Sequence, residues 1–551
     1  MDDAPLETSL TAPAPPRAAS AAVPSAIGRV STVSGFKLVC LLAAGGTGIE
    51  AYEHLQIGTL VKVPTASTIA FGFIESLAMQ SASAPGGRDV AVAEIELLGE
   101  LVAKGSDGWA VFTRGISVYP TLGAPLFQAN SDDLAMIYDK PNSWTLAIGS
   151  LHQDPNRTAY LISQELLSKH SAILGTTGSG KSCALVLIVR SLLEAHPNGH
   201  VVLLDPHGEY ASAFAGLCER ITPQNLQLPY WLLSFDEMVE ILCSKDPVSR
   251  SREAYILKDM ILASKREALA PGQSDAHLTV DTPVPYPLAS LVKGINDAMG
   301  KLDKPDSTLP YLRLLTTIDN LRHDKRYAFL FGSVAVRDNM VEILSRILRV
   351  PVNGKPITIF DLSAVPSEIV DVVVSLVCRM IFDFALWSDR DEAIPTLLVC
   401  DEAHRYIPGD ETMGFEPTRR SIARIAKEGR KYGVSLCLVT QRPSEISEPI
   451  LSQCSTVFAL RMSNEKDQNF VRRTLPETAG GLLNTLPTLR QQEAIVVGEG
   501  VAHPMHIRFN TLDARFRPKG DATNFPKAWE NDAKGTDFMR GVVERWRLQL
   551  R

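Results

Sequence analysis

Hydrophobic and polar positions change texture along the chain. From Ile27 to about Asn130, short β-rich runs (Gly28 to Leu42, Thr59 to Val63, Thr68 to Ser76, Val90 to Leu98) alternate with Gly and Pro turns such as Gly86-Gly87 and Gly123-Ala124-Pro125. That spacing predicts a small barrel or sandwich. Further on, continuous apolar runs replace the alternation: Ser171 to Leu174, Val201 to Leu204, Ile357 to Ser363, Thr396 to Cys400 and Val434 to Val439. These read as buried strands of an open α/β sheet. Between Val201–Leu204 and Thr396–Cys400 lies far more chain than a parallel crossover needs. Phe235 to about Val350 carries amphipathic helix patterns, for example Ser251 to Ala268 and Asn339 to Leu348, broken by Thr282-Pro283-Val284-Pro285-Tyr286-Pro287. This is a helical subdomain inserted in the sheet, after which Ser367 to Trp387 supplies another helix.

The strand at Ser171–Leu174 runs into Gly175-Thr176-Thr177-Gly178-Ser179-Gly180-Lys181-Ser182, and Cys183 opens a helical run to Leu193. A GxxxxGK[ST] loop between a strand and a helix is a polyphosphate cradle. Its glycines let backbone N–H groups turn inward, Lys181 neutralises the outer phosphates, Ser182 is placed to hold Mg²⁺, and the helix offers its positive end. Downstream, Thr396–Cys400 ends in Asp401-Glu402-Ala403-His404. Asp401 orients Mg²⁺ and Glu402 polarises the attacking water in this reading, a second acid that switch-type GTPases do not need. The strand Val434–Val439 delivers Thr440 and Gln441 to the same sheet edge, where ligands of open α/β sheets bind. Gln441 is therefore a candidate γ-phosphate sensor.

Asp205-Pro206-His207-Gly208-Glu209-Tyr210, the DEAH-type strand end, and Arg424–Gly433 leading into Val439-Thr440-Gln441-Arg442-Pro443-Ser444 occur together in an order that resembles HerA, of the FtsK/HerA group of DNA-pumping ATPases. The resemblance covers about residues 27 to 510. It implies an α/β fold with a RecA-like additional-strand P-loop core, an N-terminal β-barrel and an inserted helical subdomain. It also implies a homo-hexamer that moves double-stranded DNA through its centre with ATP and Mg²⁺, alongside a NurA-like nuclease or other effector. The expected division is a disordered tail at 1–26, a barrel at 27–135, a core at 136–235 and 351–512, the insertion at 236–350 and a C-terminal arm at 513–551.

Composition fits this without deciding it. The net charge is −7, from 55 basic and 62 acidic residues, which argues against a surface coated for DNA binding but allows a basic pore. The eight cysteines show no CxxC pair and several fall in apolar runs, so they read as buried free thiols in a reducing compartment. The first 25 or so residues lack the basic start and apolar stretch of a secretory signal. No run approaches the roughly 18 apolar residues of a membrane span. A cytoplasmic protein is expected.

A ring ATPase also needs a cation from the neighbouring subunit at the γ-phosphate. Arg430 is the first candidate, within the basic stretch Arg419 to Lys431, with Arg424 and Arg442 behind it. DNA must be held through phosphates, because a motor releases every sequence it passes. Candidate gripping loops are Ser244 to Arg252 and Arg405 to Arg420. The reading that follows is an ATP-driven double-stranded DNA translocase acting in DNA end processing or anti-phage defence. Its alternative is a ring-shaped scaffold that uses ATP as a regulatory ligand to activate an effector. A conjugation or secretion ATPase of the same superfamily would want a membrane anchor.

Overall fold

The structure, a computed structural model, describes residues 25–42, 55–80, 90–104, 109–222, 224–226, 228–270, 272, 274–302, 305–332, 336–363, 365–475, 480–519, 529–530 and 535–548. The expected N-terminal tail falls outside them up to position 24, as do the Gly86-Gly87 turn and parts of the C-terminal arm. The chain divides between Asn130 and Ser131 into compact units.

The first unit contains β1 (Gly28–Ser34), β2 (Lys37–Leu42), β3 (Leu60–Pro64), β4 (Thr68–Gln80), β5 (Val90–Lys104), β6 (Trp109–Arg114) and β7 (Pro125–Gln128). They pair in the order β2-β1-β7-β3-β4-β5-β6, and β2 also pairs with β5. That last pairing closes a barrel and leaves β6 as an extension of β5. Alternation decides what fills it: Leu38 and Cys40 from β2, Val61 and Val63 from β3, Ala93 and Ile95 from β5 and Leu126 from β7 share one apolar core. Closure removes the unpaired edges that an open sheet of these strands would expose.

The second unit is built on an eleven-stranded sheet. Its strands are β8 (Thr145–Leu151), β9 (Thr158–Ile162), β10 (His170–Leu174), β11 (His200–Asp205), β12 (Cys218–Ile221), β13 (Ile357–Asp361), β14 (Thr396–Cys400), β15 (Val434–Thr440), β16 (Cys454–Leu460), β17 (Glu493–Gly498) and β18 (Met505–Phe509). The order is β12-β13-β11-β14-β15-β10-β16-β17-β18-β8-β9. The strands from β12 to β16 run parallel, and β17, β18, β8 and β9 continue the sheet antiparallel. β10, β13, β14 and β15 are buried along their whole length, as continuous apolar strands covered on both faces must be. β15 lies between β10 and β14, so an additional strand separates the strand that carries the phosphate loop from the strand that carries the paired acids.

Between β12 and β13 the chain makes the helices Phe235–Leu242, Pro247–Ala268, Leu288–Met299, Pro305–His323 and Met340–Leu348. Ser234 starts the first with a reciprocal capping box to Glu237. Glu237 is itself fully buried and is held by Arg379 at 3.1 Å and by the Ser375 hydroxyl at 2.7 Å, both on the helix Ser367–Trp387. This charge pair fastens the first inserted helix to the helix Ser367–Trp387. The second inserted helix begins four residues before the apolar pattern does, because the Asp246 side chain caps it, accepting from Ser249 N at 2.9 Å, and Pro247 is pre-set for its first turn. Much of the candidate DNA loop 244–252 is therefore helix, and its Arg250 is paired with Glu240.

Candidate functional site

Parallel register brings distant residues to one edge. Leu174 pairs with Thr440, Leu438 with Cys400, Cys400 with Leu204, and Asp205 with Asp361. The C-terminal ends of β10, β15, β14, β11 and β13 thus emerge together, and the phosphate loop, Gln441, Asp401-Glu402 and Asp205–Tyr210 follow them directly.

The loop 175–182 is tied down at both flanks. Gly175 N donates to the Thr440 carbonyl at 3.3 Å, and Thr176 donates to the Arg461 carbonyl through its N–H at 2.9 Å and its hydroxyl at 3.0 Å. Gly178 (φ +75°) and Gly180 (φ +106°) hold left-handed conformations that a side chain would strain, and a Cβ on Gly178 would meet open space. Gly180 then starts the helix Lys181–Ala195. Lys181 Nζ donates to the Thr176 carbonyl at 3.2 Å and is curled over its own loop. Burial pushes its pKa down, while Glu402, Asp401 and Glu209 oppose that push. Ser182 Oγ stands 3.4 Å from Glu209 Oε2. Cys183 is half-buried in the first turn, and nearby Arg517 opposes the upward push of burial on its thiol.

Asp401 is 6 % exposed. Burial, then the charges of Glu402 and Asp205, push its carboxyl up to about 7. A buried carboxylate that is unfavourable when ionised alone is one whose charge a divalent cation would satisfy. Glu402 occupies a left-handed backbone conformation, φ +50° and ψ +44°, which for a non-glycine residue costs on the order of 1–3 kcal/mol. His404 Nδ1 is 3.3 Å from Glu402 Oε2 and His207 Nε2 is 3.8 Å from Oε1. Oε2 is buried without a hydrogen bond among the described residues. His404 Nδ1 also lies 3.1 Å from Thr440 Oγ1, so one imidazole bridges the tips of β14 and β15. The Thr177 hydroxyl donates to the Gln441 side-chain carbonyl. The structure therefore brings together Gly175, Thr176, Thr177, Gly178, Ser179, Gly180, Lys181, Ser182, Cys183, Asp401, Glu402 and Gln441.

Arg430 does not join them within its own chain. It is exposed in the short turn Gly429–Tyr432 before β15 and close to His170 at the start of β10, at the opposite edge of the sheet. Arg424 lies over the Phe382 ring at 4.3 Å and pairs with Asp383 at 3.5 Å. Arg442 pairs with Glu445 at 3.0 Å beside Gln441. In the other candidate DNA loop, Arg420 is held by Asp236 and Glu416.

Asp205 plays a different part from the acids beside it. It is fully buried and accepts from the backbone N–H groups of His207, Gly208, Glu209 and Tyr210 at 2.7–3.2 Å. It shapes the turn that aims Glu209 at Ser182. Sequence reasoning missed Gln491, whose amide donates to the Gly178 carbonyl at 3.3 Å, and the return of the C-terminal segment, where Lys519 N donates to the Glu209 carbonyl at 3.2 Å and Arg190 stacks on Phe516 at 3.5 Å. Neither belongs to a local motif, so no spacing could signal it.

Residues 146–381 match the family model described as the central domain of helicase HerA. The chain is 26 % identical over 469 residues to the DNA double-strand break repair helicase HerA of Pyrococcus furiosus, covering 78 % of each chain. The chain is an ATPase, and it is similar to HerA helicases over most of its length. Its similarity to the protein of the same name from Saccharolobus solfataricus is 26 % over 442 residues, 77 % of this chain and 79 % of the relative. Among solved structures, it is similar to VirB4 of Thermoanaerobacter pseudethanolicus (17 % identity, TM-score 0.46, 68 % of this chain and 98 % of that one) and to the plasmid coupling protein TrwB in complex with ADP and Mg²⁺ (13 %, TM-score 0.45, 71 % and 96 %). No helix among the described residues of this HerA-like chain is long and apolar enough to cross a membrane.

Proposed function

We propose that this HerA-like ATPase is a motor that uses ATP and Mg²⁺ to drive double-stranded DNA past its subunits, as a homo-hexamer working with a NurA-like nuclease or another effector in end processing or anti-phage defence. The observation that carries the reading is the convergence of Lys181, Ser182, Asp401, Glu402 and Gln441 on one sheet edge, with β15 between the loop strand and the acid strand. The relatives named as DNA double-strand break repair helicases support the DNA substrate.

Bound MgATP supplies the phosphoanhydride and the divalent charge. Ser182 and Asp401 are the residues that would hold the cation, and backbone N–H groups of the loop would turn to the phosphates. Lys181 leaves the Thr176 carbonyl and neutralises the outer phosphates. Glu402 accepts the proton of the attacking water, held toward that task by its left-handed backbone and by His404. Gln441 exchanges its bond to Thr177 for contact with the γ-phosphate and reports its presence to β15. Arg430, on the far edge of its own sheet, acts on the nucleotide of the next subunit.

ATP turnover with and without long duplex DNA tests this function. Stimulation by duplex supports a motor; unstimulated turnover, with an effector switched on by ATP binding alone, supports a nucleotide-gated scaffold instead. For Arg430, mixed assemblies of Lys181→Ala and Arg430→Ala subunits regain activity if the arginine acts in trans, and no rescue at any ratio removes it from that role.

A further inference from the structure

His152, Glu493 and His506 come together outside the nucleotide residues, from the end of β8, the start of β17 and the second position of β18. β17 runs antiparallel to β16, so Glu493 lies at the same sheet edge as the phosphate loop. One ligand atom from each residue lies within 4.8 Å of the others. His152 Nδ1 is 3.4 Å from Glu493 Oε1, and His506 Nε2 is 3.7 Å from Glu493 Oε2. The two imidazole rings stack at 4.0 Å with planes 10° apart, so their in-plane lone pairs run nearly parallel and both rings must turn about χ2 for one ion to meet them.

These distances are long for hydrogen bonds of a carboxylate to a cation. Separations of this size suit another arrangement, reached when the two rings turn so that their lone pairs converge. Zinc and similar ions bind imidazole nitrogen and carboxylate oxygen at about 2.0–2.2 Å in tetrahedral geometry, which sets neighbouring ligand atoms roughly 3.4 Å apart. A separate observation points the same way: His506 Nε2 is buried and makes no hydrogen bond among the described residues. A buried imidazole nitrogen without a partner is costly, and a metal would satisfy it. Glu493 is 6 % exposed and its Oε2 also accepts from Arg490 N at 2.9 Å, the kind of support that orients a ligating carboxylate. His152 is half-exposed, which gives an ion a path in and leaves a fourth position facing solvent.

We propose that His152, Glu493 and His506 form a site for a divalent transition-metal ion of the zinc type, distinct from the Mg²⁺ position at Ser182 and Asp401. Nitrogen ligands select against Mg²⁺, which prefers oxygen and keeps its waters. The site also has a reach beyond itself. The turn Arg490–Glu493 carries Gln491, whose amide holds the Gly178 carbonyl, and Gln492, whose carbonyl accepts from Phe509 N at 2.8 Å and whose backbone is left-handed at φ +67°. An ion fixing Glu493 to β8 and β18 pins this turn against the phosphate loop.

The test is binding of Zn²⁺, and of Co²⁺ read by its visible absorption, to the full chain without nucleotide. The expected result is one ion per chain, with affinity at least about 100-fold weaker in His506→Ala and in His152→Ala, whose exposed side chain makes misfolding an inadequate explanation. Loading should also slow amide exchange at residues 490–493 in the parent but not in His152→Ala. Absence of uptake by the parent overturns the proposal. So does uptake that persists in both histidine variants and disappears instead when the half-buried thiols Cys183 and Cys218 are replaced by serine.

Discussion

The Thr177 hydroxyl donates to the Gln441 side-chain carbonyl, joining the phosphate loop to the tip of β15 between residues 264 positions apart. β15 is hydrogen-bonded on one side to β10 and on the other to β14. A change at Gln441 is therefore felt by the strands that carry both halves of the site, and the same strand end is linked to Glu402 through Thr440 and His404.

Gln441→Ala removes this reporter and frees the Thr177 hydroxyl, while the loop keeps its bonds to the Thr440 and Arg461 carbonyls. We expect kcat to fall at least about tenfold while the dissociation constant for ATP stays within about threefold, the pattern of a group whose contact matters in the transition state more than in binding. Phosphate release and equilibrium nucleotide binding on the same preparation check it. Equal losses in both would make Gln441 a binding residue instead.

Asp401 gives the stability of the nucleotide-free protein a pH dependence. Its carboxyl ionises near 3.8 in the unfolded chain and is pushed up to about 7 in the folded one, chiefly by burial. Between those values the folded state keeps a proton that the unfolded state has lost, so the Asp401 contribution becomes less favourable as pH rises through the window. Asp401→Asn cannot ionise. Its stability relative to the parent should improve from about pH 5 to about pH 8, by up to a few kcal/mol at roughly 1.4 kcal/mol per pKa unit. Denaturant unfolding at both pH values measures the difference, and a difference that does not change with pH contradicts the assignment.

The buried pair Glu237–Arg379 makes a prediction about the fold rather than the chemistry. Arg379→Met leaves the Glu237 carboxylate buried and unpaired and should destabilise the chain by about 3–5 kcal/mol. Combining it with Glu237→Met should recover much of that loss, since both charges are then gone. Thermal melts of the single and double variants decide it. An additive double variant would mean the two residues act independently.

Much of this was legible along the chain, and the limits have physical reasons. The phosphate loop, the Asp401–Glu402 strand end and the Gln441 strand each announce themselves locally, because a buried parallel strand is a continuous apolar run and its tip is where polar residues return. The inserted helices were legible from their periodicity, but the start of Pro247–Ala268 was placed late because a cap such as Asp246 is polar and carries no periodicity. The antiparallel extension β17-β18-β8-β9 has no such local sign. Its strands come from opposite ends of the second unit, and pairing of that kind leaves no short-range trace. His152 and Glu493 met for the same reason. Arg430 illustrates the converse: its neighbours in sequence lead toward Gln441, yet a seven-residue strand carries it to the other edge of the sheet.

The central claim is that hydrolysis by the Lys181–Glu402 machinery moves duplex DNA. Displacement of a triplex-forming strand from linear duplex DNA by the parent protein and by Glu402→Gln, each with ATP and with any co-purifying effector, tests it most directly. The account predicts ATP-dependent displacement by the parent, and in Glu402→Gln retained ATP binding with turnover and displacement both slowed at least about a hundredfold, the usual worth of general-base assistance. Displacement undiminished in Glu402→Gln, or a parent that splits ATP on duplex DNA and never displaces the third strand, would contradict it.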